Sequence, residues 1–182
     1  MSLHQNPELK KAVLNLSQKE KDKLLVRLIG KDKLLLKQLH FQLLEDEYDL
    51  ENRVKELKAY LAKVIDISKK TISNTPTYAN FKELNYVLRH ASGVINEHEK
   101  VTKDKIGEFE SRLLLIKTSI SLFPKLFQPD SSLAAEKLKI YMTGRIKNLV
   151  MKFEKLHEDI QFDYQEIMDY ILDFADHNKL RS

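Results

Sequence analysis

The chain has 182 residues, of which 42% are hydrophobic and 32% are charged, with four glycines, four prolines and no cysteine. This composition argues against disorder, and the shortage of turn residues argues against sandwiches, barrels and doubly wound α/β folds. The missing cysteines exclude disulfide scaffolds, cysteine-ligated zinc and cysteine nucleophiles. The net charge of +4 is unevenly distributed, since residues 1–37 are basic and residues 153–178 are acidic.

The first part of the chain predicts a short α-hairpin. Ser17 and Glu20 have the spacing of a capping box, which predicts a helix start at this point. This helix should stop near Gly30, because glycine tolerates the left-handed backbone of a helix end. Asp32 can cap a second helix that carries several leucines, and we expect the two helices to run antiparallel within residues 1–48.

Residues 49–182 predict a bundle of longer helices. Apolar residues step by four and three along a third helix that begins near Leu50, which is typical of near-parallel helix packing. That helix should end before Thr75 and Pro76, where threonine can cap the fourth helix and proline can take its first position. A break is expected at Lys100–Asp104, and a fifth helix should bury residues 106, 109, 113, 116, 120 and 123.

The last stretch, residues 131–178, leaves two possibilities open. It can form one helix of about 45 residues, close to 70 Å long at 1.5 Å per residue. A break near His157–Asp163 is favoured, because acidic residues crowd there. The sequence therefore predicts a single all-α domain in which the N-terminal hairpin packs on an antiparallel bundle of four or five longer helices.

The charge asymmetry suggests how the hairpin could dock on the bundle. The opposite charges of residues 1–37 and 153–178 would favour head-to-tail self-association if they lay far apart, or would close the fold on itself if they lay side by side, and the second is favoured. Charge would then select the docking mode, and apolar contacts would hold it. The predicted contacts join four leucines of the hairpin to four residues of the last helix. The leucines are Leu24, Leu28, Leu36 and Leu39, and the residues of the last helix are Tyr164, Ile167, Ile171 and Phe174.

Two groups of polar residues could carry chemistry. Glu154 and His157 form a Glu-x-x-His pair of the kind used by di-iron bundles, but the second pair is missing, so a surface pair is favoured. A denser cluster could bind metal or move protons, since histidine titrates near neutral pH. A structural role is favoured instead, with Asn96 or His98 bonding backbone groups freed at the turn after Thr102. The members of this cluster are His90, Asn96, Glu97 and His98.

A basic face is the leading candidate for a binding surface. Lys19, Lys23 and Arg27 recur every four residues on the first helix, and Lys37 lies on the second. A helix, a glycine turn and another helix can form a DNA-binding helix-turn-helix, but Lys31 stands where that motif usually has an apolar residue. A solvated face is favoured over nucleic-acid binding.

Several segments resemble small uncharacterised helical proteins of the Bacteroidetes. The resemblance is carried by Leu16–Glu45, particularly Glu20–Leu25 and Lys31–Leu34, by Ile95–His98, and by Thr102–Glu108. It covers about a third of the chain. That family has no established activity, so the resemblance implies no functional residue.

The sequence favours a non-catalytic interaction or scaffolding module that binds another protein. No group of residues combines the types and the spacing that a reaction needs, so we assign no catalytic residue, metal ligand or cofactor. The alternatives are a metal-dependent enzyme that uses the His/Glu cluster and a nucleic-acid-binding protein that uses the basic hairpin. We expect a cytoplasmic protein without a membrane partner, because no signal peptide is evident and the longest wholly apolar run is Leu113–Ile116. The oligomeric state stays open.

Overall fold

A computed structural model describes residues 5–181, which form eight α-helices and no strand. The predicted all-α class is confirmed. Contacts divide the chain into two compact units, one that ends at Glu45 and one that begins at Asp46. The first unit holds α1 (Pro7–Leu14), α2 (Gln18–Ile29) and α3 (Lys33–Leu44). The second holds α4 (Glu47–Thr71), α5 (Tyr78–Thr102), α6 (Lys105–Leu122), α7 (Leu133–Phe153) and α8 (Glu158–His177).

The helix starts of the first unit follow from side-chain caps. Ser17 and Glu20 form the predicted capping box, in which each side chain accepts a hydrogen bond from the other residue's backbone amide. Asp32 caps α3 as predicted. Helix α2 ends at Gly30 as predicted, but Gly30 has a φ of −64° and does not use the left-handed conformation that glycine tolerates. Within this unit, α2 contacts α3.

The core of the second unit surrounds α6, which contacts α4, α5, α7 and α8. Its predicted apolar residues Phe109, Leu113, Ile116 and Ile120 are buried, as is Phe123 at its C-terminal cap. Ile106 was predicted to be buried, but 45% of its surface is exposed. It lies in the first turn of α6 and lines an open groove between α4 and α6.

The connection between α4 and α5 differs from the predicted one. Thr77 caps helix α5, because its hydroxyl accepts a hydrogen bond from the backbone amide of Asn80. The helix therefore begins two residues later than predicted. The Asn80 side chain explains the shift, because it donates to the carbonyl of Thr75 at 2.9 Å and accepts from the amide of Ser73 at 3.4 Å. These bonds hold residues 73–75 in a loop, which leaves Pro76 outside the helix.

The connection between α5 and α6 lies within the predicted break. Lys103 adopts a left-handed conformation with a φ of 60° and ends α5. Asp104 then caps α6 by accepting the amide of Gly107 at 2.9 Å. A two-residue turn between helices that pack against each other reverses the chain direction, as an antiparallel bundle requires.

The chain after α6 contains a structured turn where the two prolines predicted a loop. Pro124–Phe127 form a single 3-10 turn that buries the side chains of Leu126 and Phe127 completely. The stretch that follows consists of two helices, because α7 ends at Phe153 and His157 caps α8. The predicted break is therefore present and begins a few residues earlier than expected.

Helix α8 contributes its apolar face to the core of its own unit. Ile171 is fully buried there, the ring of Tyr164 lies against Phe109, and the ring of Phe174 packs edge-on against Phe127. Of the four residues predicted to receive the hairpin, Ile171 lies in the bundle core, and Tyr164, Ile167 and Phe174 are partly buried against it. Docking of the hairpin on them stays a prediction.

Candidate functional site

The predicted basic face lies on exposed helix surface. Lys19, Lys23 and Arg27 are exposed and follow one another at one-turn intervals along α2. Lys37 is exposed on α3. Helical spacing therefore aligns the three cations of α2 on one side of that helix.

Large apolar side chains of the same unit are also exposed. None of the residues of α1, α2 and α3 is buried. The exposed fraction is 57% for Leu25, 53% for Leu36 and 74% for Leu43. Single exposed leucines are ordinary on protein surfaces, but α2 and α3 together expose six large apolar side chains. We call Leu25, Val26, Leu28, Leu36, Leu43 and Leu44 the apolar set of the hairpin.

The predicted polar cluster is divided among separate sets of partners. The ring of His90 is 2.8 Å from the Tyr60 hydroxyl and stacks on Tyr86 at the surface. Asn96 accepts a hydrogen bond from Arg112 at 2.5 Å. Glu97 is exposed on α5.

His98, the fourth member, supports the turn between α5 and α6. Its Nε2 atom is 3.4 Å from the carboxylate of Asp104. This hydrogen bond, as the largest influence, lowers the pKa of the Asp104 carboxyl below its ordinary value. The prediction that Asn96 or His98 satisfies backbone groups at this turn is wrong. Thr102 does so instead, since its hydroxyl donates to the carbonyl of His98 and accepts the amide of Asp104.

A buried charge group that sequence reasoning missed lies on α6. The Oε1 atom of Glu108 accepts from Nε and Nη2 of Arg112, at 2.9 and 2.8 Å, and its Oε2 atom accepts from Lys152 of α7 at 2.7 Å. Only 3% of Glu108 and 6% of Arg112 are exposed. Because each buried charge has a charged partner, the desolvation cost is offset, and the group ties α6 to α5 through Asn96 and to α7 through Lys152.

A second carboxylate of α6 ties two further helices to it. Glu110 accepts from Lys58 of α4 at 2.6 Å and from the hydroxyl of Tyr164 on α8. Burial is the main reason why the pKa of Tyr164 rises to about 12, and the neighbouring Glu110 carboxylate adds to the rise. Glu110 and Glu108 thus fix the positions of α4, α7 and α8 around the same central helix.

Sequence signals for these charges exist, although they are indirect. Glu108 and Arg112 are four residues apart, and each directly adjoins a residue of the apolar seam, Phe109 or Leu113. A helix packed on several sides buries residues beside its seam as well as on it, so charges at those positions are buried in pairs.

The residues considered as metal ligands do not come together in one site. Among residues 5–181, no group of three or more histidines and acidic residues is placed to hold a metal ion together. Glu154 and His157 are exposed in the connection between α7 and α8, and His157 serves as the cap of α8. Across the same residues, no helix is long and apolar enough to cross a membrane.

Comparison with protein-family models, with curated proteins and with solved structures finds no match for this chain. Membership of the Bacteroidetes helical family stays a prediction from the quoted segments.

Proposed function

We propose that this chain is a non-catalytic helical interaction or scaffolding module that uses the apolar set of the hairpin to bind another protein in the cytoplasm. The observation that carries the proposal is the half or greater exposure of all six apolar side chains of that set. Removing such a surface from water is the main driving force of most protein association, at roughly 25 cal/mol per Å² of apolar area.

The short helices of the hairpin support the same proposal. Helices α2 and α3 have twelve residues each, a length at which an isolated helix is marginal in water. Their stability must come from packing of apolar faces, yet six of the twelve apolar side chains of α2 and α3 are exposed. A bound partner would supply the missing contacts, so binding would also stabilise the hairpin.

The charges of α2 indicate the chemistry of the partner. Lys19, Lys23 and Arg27 lie along one side of α2, and helical spacing places Val26 next to them and Leu25 and Leu28 on the other side of the helix. A partner that carries acidic residues would match this basic side, and its charges would speed association more than they tighten binding.

The test compares two double variants of the full-length chain. Leu36→Glu with Leu43→Glu places charges in the apolar set, whereas Leu133→Glu with Ile140→Glu makes the same change at equally exposed positions of α7. A partner is first captured from the source cell by the unaltered chain and identified by mass spectrometry. Binding of the purified partner is then measured by titration calorimetry, with circular dichroism to verify that both variants are folded.

We expect the hairpin variant to lose at least tenfold in affinity and the α7 variant to keep its affinity. Equal affinities of the two variants would contradict the proposal. Binding to duplex DNA that falls steeply with salt and is lost in Lys19→Glu with Lys23→Glu would replace it with the nucleic-acid function.

A further inference from the structure

Helix α7 has a second apolar side besides the one that faces the core. Its buried residues, among them Leu138 and Leu149, lie together on one side of the helix. Leu133, Ile140 and Met151 are instead 61%, 65% and 44% exposed. At about 100° per residue, these three lie within about 20° of one line along the side opposite the buried one. A surface helix needs only one apolar side to join its core, so the outer one is available to another helix.

The outer side of α7 also has the spacing of a helix–helix seam. Positions that step by four and three residues lead from Leu133 to Glu154, the C-terminal cap of the helix. Gly144 lies at the middle of this line, and a Cβ atom added there would meet none of the described atoms within 4 Å. A second helix can therefore come close to the backbone of α7 at this point. We call Leu133, Lys137, Ile140, Gly144, Lys147, Met151 and Glu154 the outer seam of α7.

A pocket beside the outer seam has the arrangement that receives a side chain from a neighbouring helix. Lys147, Val150, Met151 and Glu154 line it, and they occupy positions i, i+3, i+4 and i+7 of α7 and its cap. Four residues with this spacing form the hole of knobs-into-holes packing. The pocket has a volume of about 260 Å³, which is large enough for one isoleucine side chain.

The charges of the outer seam match those of a second copy in the antiparallel direction. Lys137 and Glu154 are exposed and lie about 25 Å apart along the helix at 1.5 Å per residue, so they cannot pair within one chain. When Ile140 of one copy lies opposite Met151 of an antiparallel second copy, the same register places Lys137 opposite Glu154. A two-fold axis repeats each contact, so both ends of the seam carry opposite charges.

We propose that α7 forms the interface of a two-fold symmetric dimer of this chain, in which the outer seams of two copies pack antiparallel. Ile140 of each copy fills the pocket of the other, and Lys137 pairs with Glu154 at both ends. The aliphatic part of Lys147 lies across Gly144 of the other copy, while its ammonium group reaches water.

The dimer is weak and independent of the hairpin. A contact along one helix is smaller than a standard interface, so the dimer dissociates reversibly in the micromolar range. Because the outer seam belongs to the bundle, the variant Leu36→Glu with Leu43→Glu should dimerise like the unaltered chain. If that variant is monomeric where the unaltered chain is dimeric, the hairpin is the interface and the proposal is wrong.

The first test is sedimentation equilibrium of the full-length chain at concentrations up to about 1 mM. We expect a monomer–dimer equilibrium that Ile140→Glu weakens at least tenfold, because it places a charge in the pocket of the other copy. Ile67→Glu is the matched control at an exposed isoleucine of α4 and should leave the equilibrium unchanged. Circular dichroism verifies that both variants are folded. A monomer at every concentration, or equal association of the two variants, would overturn the proposal.

A charge exchange tests the antiparallel register. Lys137→Glu and Glu154→Lys each create two pairs of like charges, so each variant alone should dimerise at least tenfold more weakly than the unaltered chain. An equimolar mixture of the two variants has opposite charges at both ends of the seam and should recover the association of the unaltered chain. The distance between these positions within one chain means that only a contact between copies can produce this recovery. If the mixture associates no better than either variant alone, the proposed dimer is wrong.

Discussion

The carboxylate of Glu108 accepts two hydrogen bonds from the guanidinium group of Arg112 one turn further along α6, and both side chains are buried. Lys152 reaches the same carboxylate from α7. The most central helix of the bundle therefore carries a paired charge in its interior, where either member alone would be costly. This arrangement makes the stability of the bundle sensitive to single substitutions and less sensitive to paired ones.

We expect Glu108→Gln to lower the free energy of unfolding by about 3 kcal/mol, because it leaves the buried Arg112 cation without its counter-charge. The measurement is urea unfolding followed by circular dichroism. Glu83→Gln is the matched control, since Glu83 is exposed on α5, and it should change the free energy by less than about 0.5 kcal/mol.

A paired substitution separates the cost of an unpaired charge from that of lost packing. Replacement of Glu108 and Arg112 together by leucine should be less destabilising than Glu108→Leu alone, because the buried Arg112 cation is removed with its counter-charge and only the partly exposed Lys152 loses a partner. If the free energy of unfolding of the double variant falls by the sum of the decreases in the two single variants, Glu108 and Arg112 are not coupled.

We expect the raised pKa of Tyr164 to make the folded chain less stable at alkaline pH. Its pKa in the folded chain is raised from 10.0 to about 12, so between these values the unfolded chain has lost a proton that the folded chain keeps. The stability contributed by this group is therefore fully present below pH 10 and disappears as the pH rises to about 12. Tyr164→Phe should remove this part of the pH dependence.

Tyrosinate absorbance at 295 nm measures the same titration directly. Tyr164 should ionise near pH 12, and Tyr164→Phe should abolish that step. Tyr78→Phe, at an exposed position of α5, should leave it in place. A titration in which Tyr164→Phe and Tyr78→Phe remove equivalent steps would contradict this assignment.

His98 should stabilise the turn between α5 and α6 through Asp104. His98→Ala is expected to cost about 1–2 kcal/mol, which lowers the Tm by several degrees for a chain of this size. The loss should also move acid unfolding to higher pH, because the depressed pKa of Asp104 returns toward its ordinary value without the histidine.

The conservative variant His98→Gln distinguishes a hydrogen bond from simple packing. Glutamine can still donate to the Asp104 carboxylate, so it should restore the acid midpoint of the unaltered chain. An acid midpoint that is the same in all three proteins would show that His98 does not act through Asp104.

Local sequence signals predicted the helices well. Capping residues such as Ser17 and Asp32, and apolar steps of four and three, depend on neighbours within one or two turns, so they can be read from the chain alone. Helix α1 was missed although Asn6 caps it and Pro7 takes its first position, because it lacks a long apolar seam.

The candidate sites were less predictable because they depend on contacts distant in sequence. Lys152 meets Glu108 across 44 positions, and Tyr164 meets Glu110 across 54. No local pattern reports such pairs. The prediction of a His90–His98 cluster is wrong for the same reason. Helical spacing indicates which residues lie near one another on a helix, but it does not indicate which partners their side chains reach.

The two glycines Gly93 and Gly107 should respond in opposite ways to replacement by alanine. Alanine is normally favoured over glycine inside a helix by about 0.5–1 kcal/mol. At Gly93, an added Cβ atom meets no other atom within 4 Å, so Gly93→Ala should stabilise the chain by about that amount. At Gly107, the Cβ atom would collide with the carboxylate of Asp104 and come within 3.1 Å of the Val54 side chain.

Gly107→Ala must therefore displace the Asp104 carboxylate that caps α6. Loss of a cap costs about 1 kcal/mol, and the contact between His98 and Asp104 is disturbed as well. We expect the free energy of unfolding to fall by about 1–2 kcal/mol in spite of the better helix propensity of alanine, as measured by urea unfolding. A further change of Asp104 to alanine in this variant should cost little more, because its cap is already lost. If Gly107→Ala stabilises the chain as much as Gly93→Ala does, the carboxylate moves aside freely and the cap contributes little.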